Sequence, residues 1–219
     1  MAVNTVIEID MYFAIPYQFR YDIAVIGTLA RLVEVAVPQH GLFTVEQASS
    51  VSVGDQQVRR LAASGVLERR AQGVYRIVTV PFDEHSELME AVLWAKGRAL
   101  IAGESALLLW DLADVNPRKI HLAVAPEYRP RRSDGHLYVV HHVRVADEDR
   151  DEAHGVAVVA PALAIRQAID WGIPGDMIEQ AVHRAEAREH IGKQTAERLH
   201  AHLYDRARTT KTKRGTRGK

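Results

Sequence analysis

A chain of 219 residues with 47% apolar side chains can bury one large core or two small ones. It has no cysteine, which excludes disulfides, zinc–thiolate centres and cysteine nucleophiles and suits a reducing, cytoplasmic setting. Its 28 basic and 28 acidic side chains cancel, yet seven of the basic ones and none of the acidic ones fall in residues 206–219.

No membrane association is expected. The first twenty residues hold Glu8 and Asp10 and lack the basic start of a secretion signal. The longest nearly uncharged stretch, Ala99 to Trp110, is too short to cross a bilayer.

In chain order, Val3 to Phe19 is apolar and reads as a strand or a dimer contact. Residues 22–37 place Ile23, Ile26, Leu29, Ala30, Val33 and Val37 at helical spacing, and Pro38 and Gly41 end that helix. Thr44 followed by Gln47 is a capping box that opens a short helix through Ser49. Val51 to Gly54 reads as a turn, and Ser52 with Asp55 repeats the capping signature. A second helix then buries Val58, Leu61 and Ala62 and turns Gln56, Gln57, Arg59 and Arg60 outward. Val66 to Arg70 and Val74 to Val78 are strand-like runs joined by Ala71-Gln72-Gly73, a loop whose last position suits a left-handed glycine.

Helix, turn, helix and hairpin in that order make a winged helix-turn-helix. Its second helix carries side chains suited to a major groove, since Arg donates twice to guanine and Gln pairs with adenine. The hairpin carries Arg69, Arg70, Gln72 and Arg76 within reach of phosphate or a minor groove. The same fold also serves as a protein-contact module. Residues 1–80 hold seven basic and seven acidic side chains, a weak electrostatic footprint for a DNA binder.

Val80-Pro81-Phe82 marks a domain boundary, with residues 81–205 reading as a mixed α/β domain. A helix spans His85 to Ala95; strands are expected at Ala99 to Ala102, Ile120 to Ala125, Leu137 to Val145 and Val156 to Ala160. Ser105 reads as the cap of a helix reaching Leu112. Pro161 and Pro174 are placed as first residues of helices running to Trp171 and to about His190, and a last helix covers Lys193 to Leu203. Residues 206–219, rich in Lys, Arg, Thr and Gly, read as a disordered basic tail. Such a tail serves either as a polyanion-binding arm or as a solvated end. The fold class is therefore mixed α/β (α+β).

The winged unit closing on GVYRI, then ALIAGESALLLWDLADVNPRKIHLAVA from Ala99 and GVAVVAPALAIRQAID from Gly155, resembles the AbiEi-type antitoxins of bacterial type IV toxin–antitoxin pairs over about residues 22–200. The resemblance implies an N-terminal domain that binds inverted repeats in its own promoter and represses its operon. It also implies a second domain that neutralises a nucleotidyltransferase-type toxin, all without a cofactor. DNA contacts would then fall on Ser52, Gln56, Gln57, Arg59, Arg60, Arg69, Arg70 and Arg76, in a monomer or weak dimer that binds DNA cooperatively.

No catalytic or metal-binding residue is assigned. Gly103-Glu104-Ser105 resembles half of a nucleophile elbow, but Leu107 stands where the closing glycine belongs. Neither a phosphate-cradling glycine loop nor a kinase catalytic loop is present. An atypical kinase that phosphorylates its toxin needs neither motif, so it stays open, as does a transcription regulator whose second domain senses a small molecule. His141 and His142, adjacent in a strand, point to opposite faces and cannot share a metal. The acidic run Asp147 to Glu152 reads as a solvated loop.

Overall fold

The computed structural model describes residues 17–130 and 137–215, with side chains described within residues 25–208. The expectations for Val3 to Phe19 fall largely outside the described residues, as do those for the side chain of Ile23 and the side chains of 209–219. The chain divides into two compact units, Met1–Arg69 with Tyr75–Phe82 and Arg70–Val74 with Asp83–Lys219.

In the first unit α1, Tyr17–Ala36, begins five residues earlier than periodicity suggested. It buries Thr28, Leu32 and Ala36, with Val25, Leu29, Val33 and Val35 packed alongside. Ile26 and Val37, expected inside, are 66% and 57% exposed. Apolar residues surround this helix, so two neighbouring stripes satisfy a 3.6 period and only packing selects between them. A strand missing from the sequence reading, β1 (Leu42–Thr44), is fully buried and joins the hairpin strands β2 (Leu67–Ala71) and β3 (Val74–Ile77) in the order β1-β3-β2. The Ile77 amide donates to Gly41 O over 2.9 Å.

The capping box at α2 (Val45–Ser50) forms as expected. Gln47 N donates to Thr44 Oγ1 over 3.2 Å, and Thr44 N donates to Gln47 Oε1 over 2.8 Å. The second capping assignment shifts by two residues. Helix α3, Asp55–Ala63, starts from Gly54, whose amide donates to Gln57 Oε1. Ser52 instead takes a left-handed φ of 60° in the turn. The wing loop is also shorter than expected, because Ala71 ends β2 and only Gln72 and Gly73 turn the chain, Gly73 with φ 77°.

The second unit opens with α4, Ser86–Trp94, almost wholly buried. Its five-stranded sheet has the order β6-β5-β4-β8-β7, with β4 Ala99–Ile101, β5 Ile120–Val124, β6 Tyr138–His142, β7 Arg150–Ala153 and β8 Val156–Val159. Strand β4 runs antiparallel to β5 and parallel to β8; β6 runs parallel to β5. Helices α5 (Gly103–Leu109), α6 (Pro161–Trp171), α7 (Gly175–Ala187) and α8 (Lys193–Gly215) complete it. Part of the acidic run expected as a loop is strand β7, whose Arg150 to Ala153 pair with β8. Charged side chains at exposed positions are a common way to protect such an edge.

Three further corrections concern helix ends. Pro174 is the N-cap of α7 rather than its first residue. Ser105 does not cap α5: it is fully buried within the helix and its Oγ accepts from His121 N over 2.9 Å. The last helix runs on to Gly215, so residues 206–215, expected as disordered, are helical. Near that point His202 Nε2 and Arg206 Nη1 meet the Asp170 carboxylate at 2.8 and 3.6 Å. These contacts fasten the helix to α6 beyond Leu203, and Lys and Arg are good helix formers once a turn is nucleated.

One close approach organises this unit. Gly103 has a φ of 50°, and a Cβ there would lie 2.2 Å from Trp171 Cζ3. The Gly103 amide donates to Gln167 Oε1 over 3.1 Å, one turn before Trp171 on α6. The His141 ring stacks on Trp171 at 3.5 Å, and His141 Nε2 sits 3.2 Å from His121 Nδ1. His141 thus pairs with a histidine on the neighbouring strand rather than with His142, which lies 2.9 Å from Arg129 Nη1. Burial, aided by His121 and His142, pushes the His141 imidazole down to about 4.

Gly103→Ala should lower unfolding stability by about 2–4 kcal/mol, combining left-handed backbone cost with overpacking against Trp171; urea titration measures it. The His141 shift fixes a second outcome. Because the unfolded side chain binds its proton near pH 6.5 and the folded one only near 4, stability present at neutral pH is lost as pH falls through that interval. His141→Phe keeps a ring on Trp171 and removes the titration, so its stability should fall less between pH 7 and pH 4.5. Superimposable pH profiles would assign the acid sensitivity to other groups.

Candidate nucleic-acid interface

Helix α3 is nine residues long and faces two ways. Val58 and Leu61 are buried with Leu32, Phe43, Val53 and Ile77. At i, i+3 and i+4 from Gln56 stand Arg59 and Arg60, all exposed, so the three form one outward stripe. Arg59 also meets Asp55 one turn earlier, with side chains 73% and 46% exposed. An ion pair this exposed is worth about 0.3–0.5 kcal/mol, so the guanidinium is readily exchanged onto another anion.

Ser52 sits exposed at the turn that precedes the helix. Gln57 differs from its sequence reading. Its carbonyl accepts from Gly54 N over 3.0 Å, which leaves only its amide hydrogens and removes the acceptor that two-bond pairing with adenine requires. The signal was legible in Gly54 followed three residues later by Gln57.

The wing arginines split three ways. Arg69 is exposed on β2. Arg70 donates through Nε to Glu90 Oε2 over 2.9 Å, and the Glu90 side chain is only 9% exposed. A carboxylate so deeply buried needs its counter-charge, so Arg70 is committed to it. Arg76, 17% exposed, pairs with Glu68 at 3.2 Å, donates to Val78 O and Val80 O and lies 5.2 Å from the Phe82 ring centroid. It ties down the segment that leaves the wing. Nothing local in the sequence marks Glu90 or the two carbonyls as partners. The outward-facing set is therefore Ser52, Gln56, Arg59, Arg60 and Arg69, with Gln57 as a donor only.

A model of transcriptional regulators of the AbiEi antitoxin type matches residues 30–78, the stretch from α1 through the wing. Over this stretch the chain is similar to the AbiEi antitoxin family. The match covers the helix that carries the exposed stripe Gln56, Arg59 and Arg60, and it is a match to regulators of antitoxin type. None of the curated proteins matches the chain. Among solved structures it is similar to the RV2827C protein from Mycobacterium tuberculosis, at 16% identity and a TM-score of 0.51, over 83% of this chain and 75% of that one. That likeness extends the shared fold beyond the AbiEi unit. Among the described residues no helix is long and apolar enough to cross a membrane, and no three acidic or histidine side chains converge on a metal position.

Arg59→Ala with Arg60→Ala should weaken binding to the upstream DNA by about 1–3 kcal/mol for each residue that makes a two-bond base contact, with the unfolding curve unchanged. Arg76→Ala should do the reverse, lowering unfolding stability by about 1–3 kcal/mol through its lost ion pair and carbonyl bonds. Gel-shift titration and urea denaturation of both variants separate the two roles.

Proposed function

We propose that this protein is an antitoxin and autorepressor. Its winged unit binds inverted repeats in its own promoter, with α3 in the major groove and Arg69 at the backbone. Its second unit neutralises a nucleotidyltransferase-type toxin encoded beside it. The observation that carries the DNA half is the outward stripe Gln56, Arg59 and Arg60 on a helix whose opposite face is anchored in the core of an AbiEi unit. Ser52, Gln57 and Arg69 surround that stripe and complete the contact set, with donors for phosphate as well as for base edges.

Electrostatics favour a division of labour. Residues 1–80 are charge-balanced, whereas 206–219 hold seven cations and no acid. The C-terminal cations therefore supply sequence-independent affinity through counterion release, while α3 supplies discrimination. The toxin half rests on the second unit, a full α/β domain of five strands and five helices in its described residues, which exceeds what reading an operator requires.

The two halves should separate genetically. A full-length chain carrying Arg59→Ala and Arg60→Ala should lose repression of a promoter fusion yet still relieve toxicity of the neighbouring nucleotidyltransferase. Toxin recovered after co-expression should keep its unmodified mass. A gain of one phosphate that depends on ATP would reassign the protein as a kinase, and loss of both activities together would refute the division.

A further inference from the structure

Between α1 and α3 the winged unit contains a groove of about 180 Å³. Val25, Leu61 and Val66 form its apolar walls. A cavity of roughly 150 Å³ lined by aliphatic side chains is enough to hold one benzene ring, so the groove suits a single six-membered ring and little more. Its polar rim is unevenly equipped. Arg60 is exposed and, among the described residues, its guanidinium makes no ion pair or hydrogen bond. Gln57, whose carbonyl is taken by Gly54 N, offers only its amide hydrogens. Ser64 donates its hydroxyl hydrogen to Leu61 O over 3.0 Å. Among the described residues no acidic side chain lines the groove. Apolar walls, a free guanidinium fork and an amide donor together describe a receptor for a flat ring that carries one carboxylate.

We propose that this groove binds a small, single-ring monocarboxylate, with the ring between Val25, Leu61 and Val66 and the carboxylate on Arg60 and Gln57. Those two side chains also belong to the DNA contact set, so ligand and operator compete for them and the ligand relieves repression. The binding site stands on the groove alone; the competition rests on the DNA-binding reading above.

Benzoate is the probe, with benzyl alcohol as its uncharged match, titrated into the full-length protein and followed by amide chemical shifts. Benzoate should give saturable shifts confined to Thr28, Gln57, Leu61, Ser64 and Val66. Benzyl alcohol should bind at least ~10-fold more weakly, because it lacks the charge-assisted bonds to Arg60. Ser64→Leu, an exposed position beyond the helix end, should fill the groove and abolish the shifts while leaving the core resonances in place; Arg60→Gln should bring benzoate down to the affinity of benzyl alcohol. Absence of saturable shifts, equal affinity for the two probes, or shifts that survive Ser64→Leu would each overturn the site. Saturating benzoate should then weaken promoter binding by the factor by which promoter DNA weakens benzoate binding, as linkage demands. Unchanged promoter affinity with benzoate bound would overturn the competition. A protein that binds no promoter DNA but still binds benzoate would instead sink the DNA reading and leave the groove standing.

Discussion

Burial of Val58 and Leu61 against Leu32, Phe43 and Ile77 is the constraint on which the surface proposed to meet DNA depends. A nine-residue helix does not persist by itself in water, because nucleation outweighs the few hydrogen bonds it adds. Its existence and its rotation about its own axis are therefore set by the two side chains it buries, each contributing about 1.5–3 kcal/mol. With that rotation set, Gln56, Arg59 and Arg60 have no direction left but outward. Gly54 and Gln57 set the first turn, and Ser52 in a left-handed conformation makes the preceding turn tight enough to bring α2 beside α3.

The second unit depends on a comparable contact. Trp171 packs onto Gly103 where no Cβ fits, while Gln167 holds the Gly103 amide. Around this point Ser105 accepts from the His121 amide and His141 stacks on Trp171. Three elements distant in sequence (α5, the β5–β6 pair and α6) thus share one set of side chains. The segment Gly103-Glu104-Ser105, which resembles half of a catalytic turn, serves here as a packing joint. Ser105 has no exposed hydroxyl to act as a nucleophile.

Charge in the winged unit is allocated sparingly. Of its three wing arginines, Arg70 answers a buried carboxylate and Arg76 straps the outgoing chain, so only Arg69 faces solvent. A count of basic residues overstates the cationic surface for that reason. Arg60, by contrast, stands at both the recognition stripe and the rim of the α1–α3 groove. On the proposed reading, one guanidinium shared by two overlapping sites is the physical route that couples a small acid to DNA release.

What the sequence determined by itself was local. The Thr44–Gln47 box, the apolar spacing of Val58 and Leu61, the glycine of the wing turn and Pro161 at the start of α6 each act through neighbours within four residues, and each appears where its chemistry places it. Tertiary structure decided the rest. Helix α1 is apolar on adjacent stripes, so packing alone chose to bury Leu32 and leave Ile26 in solvent. Strand β1 is three residues long and exists because β3 pairs with it. Arg70 and Arg76 look no different from Arg69 in the sequence. Their partners are Glu90, twenty residues on, and the carbonyls of Val78 and Val80, and an arginine side chain long enough to reach either is not assigned to one until the backbone has folded.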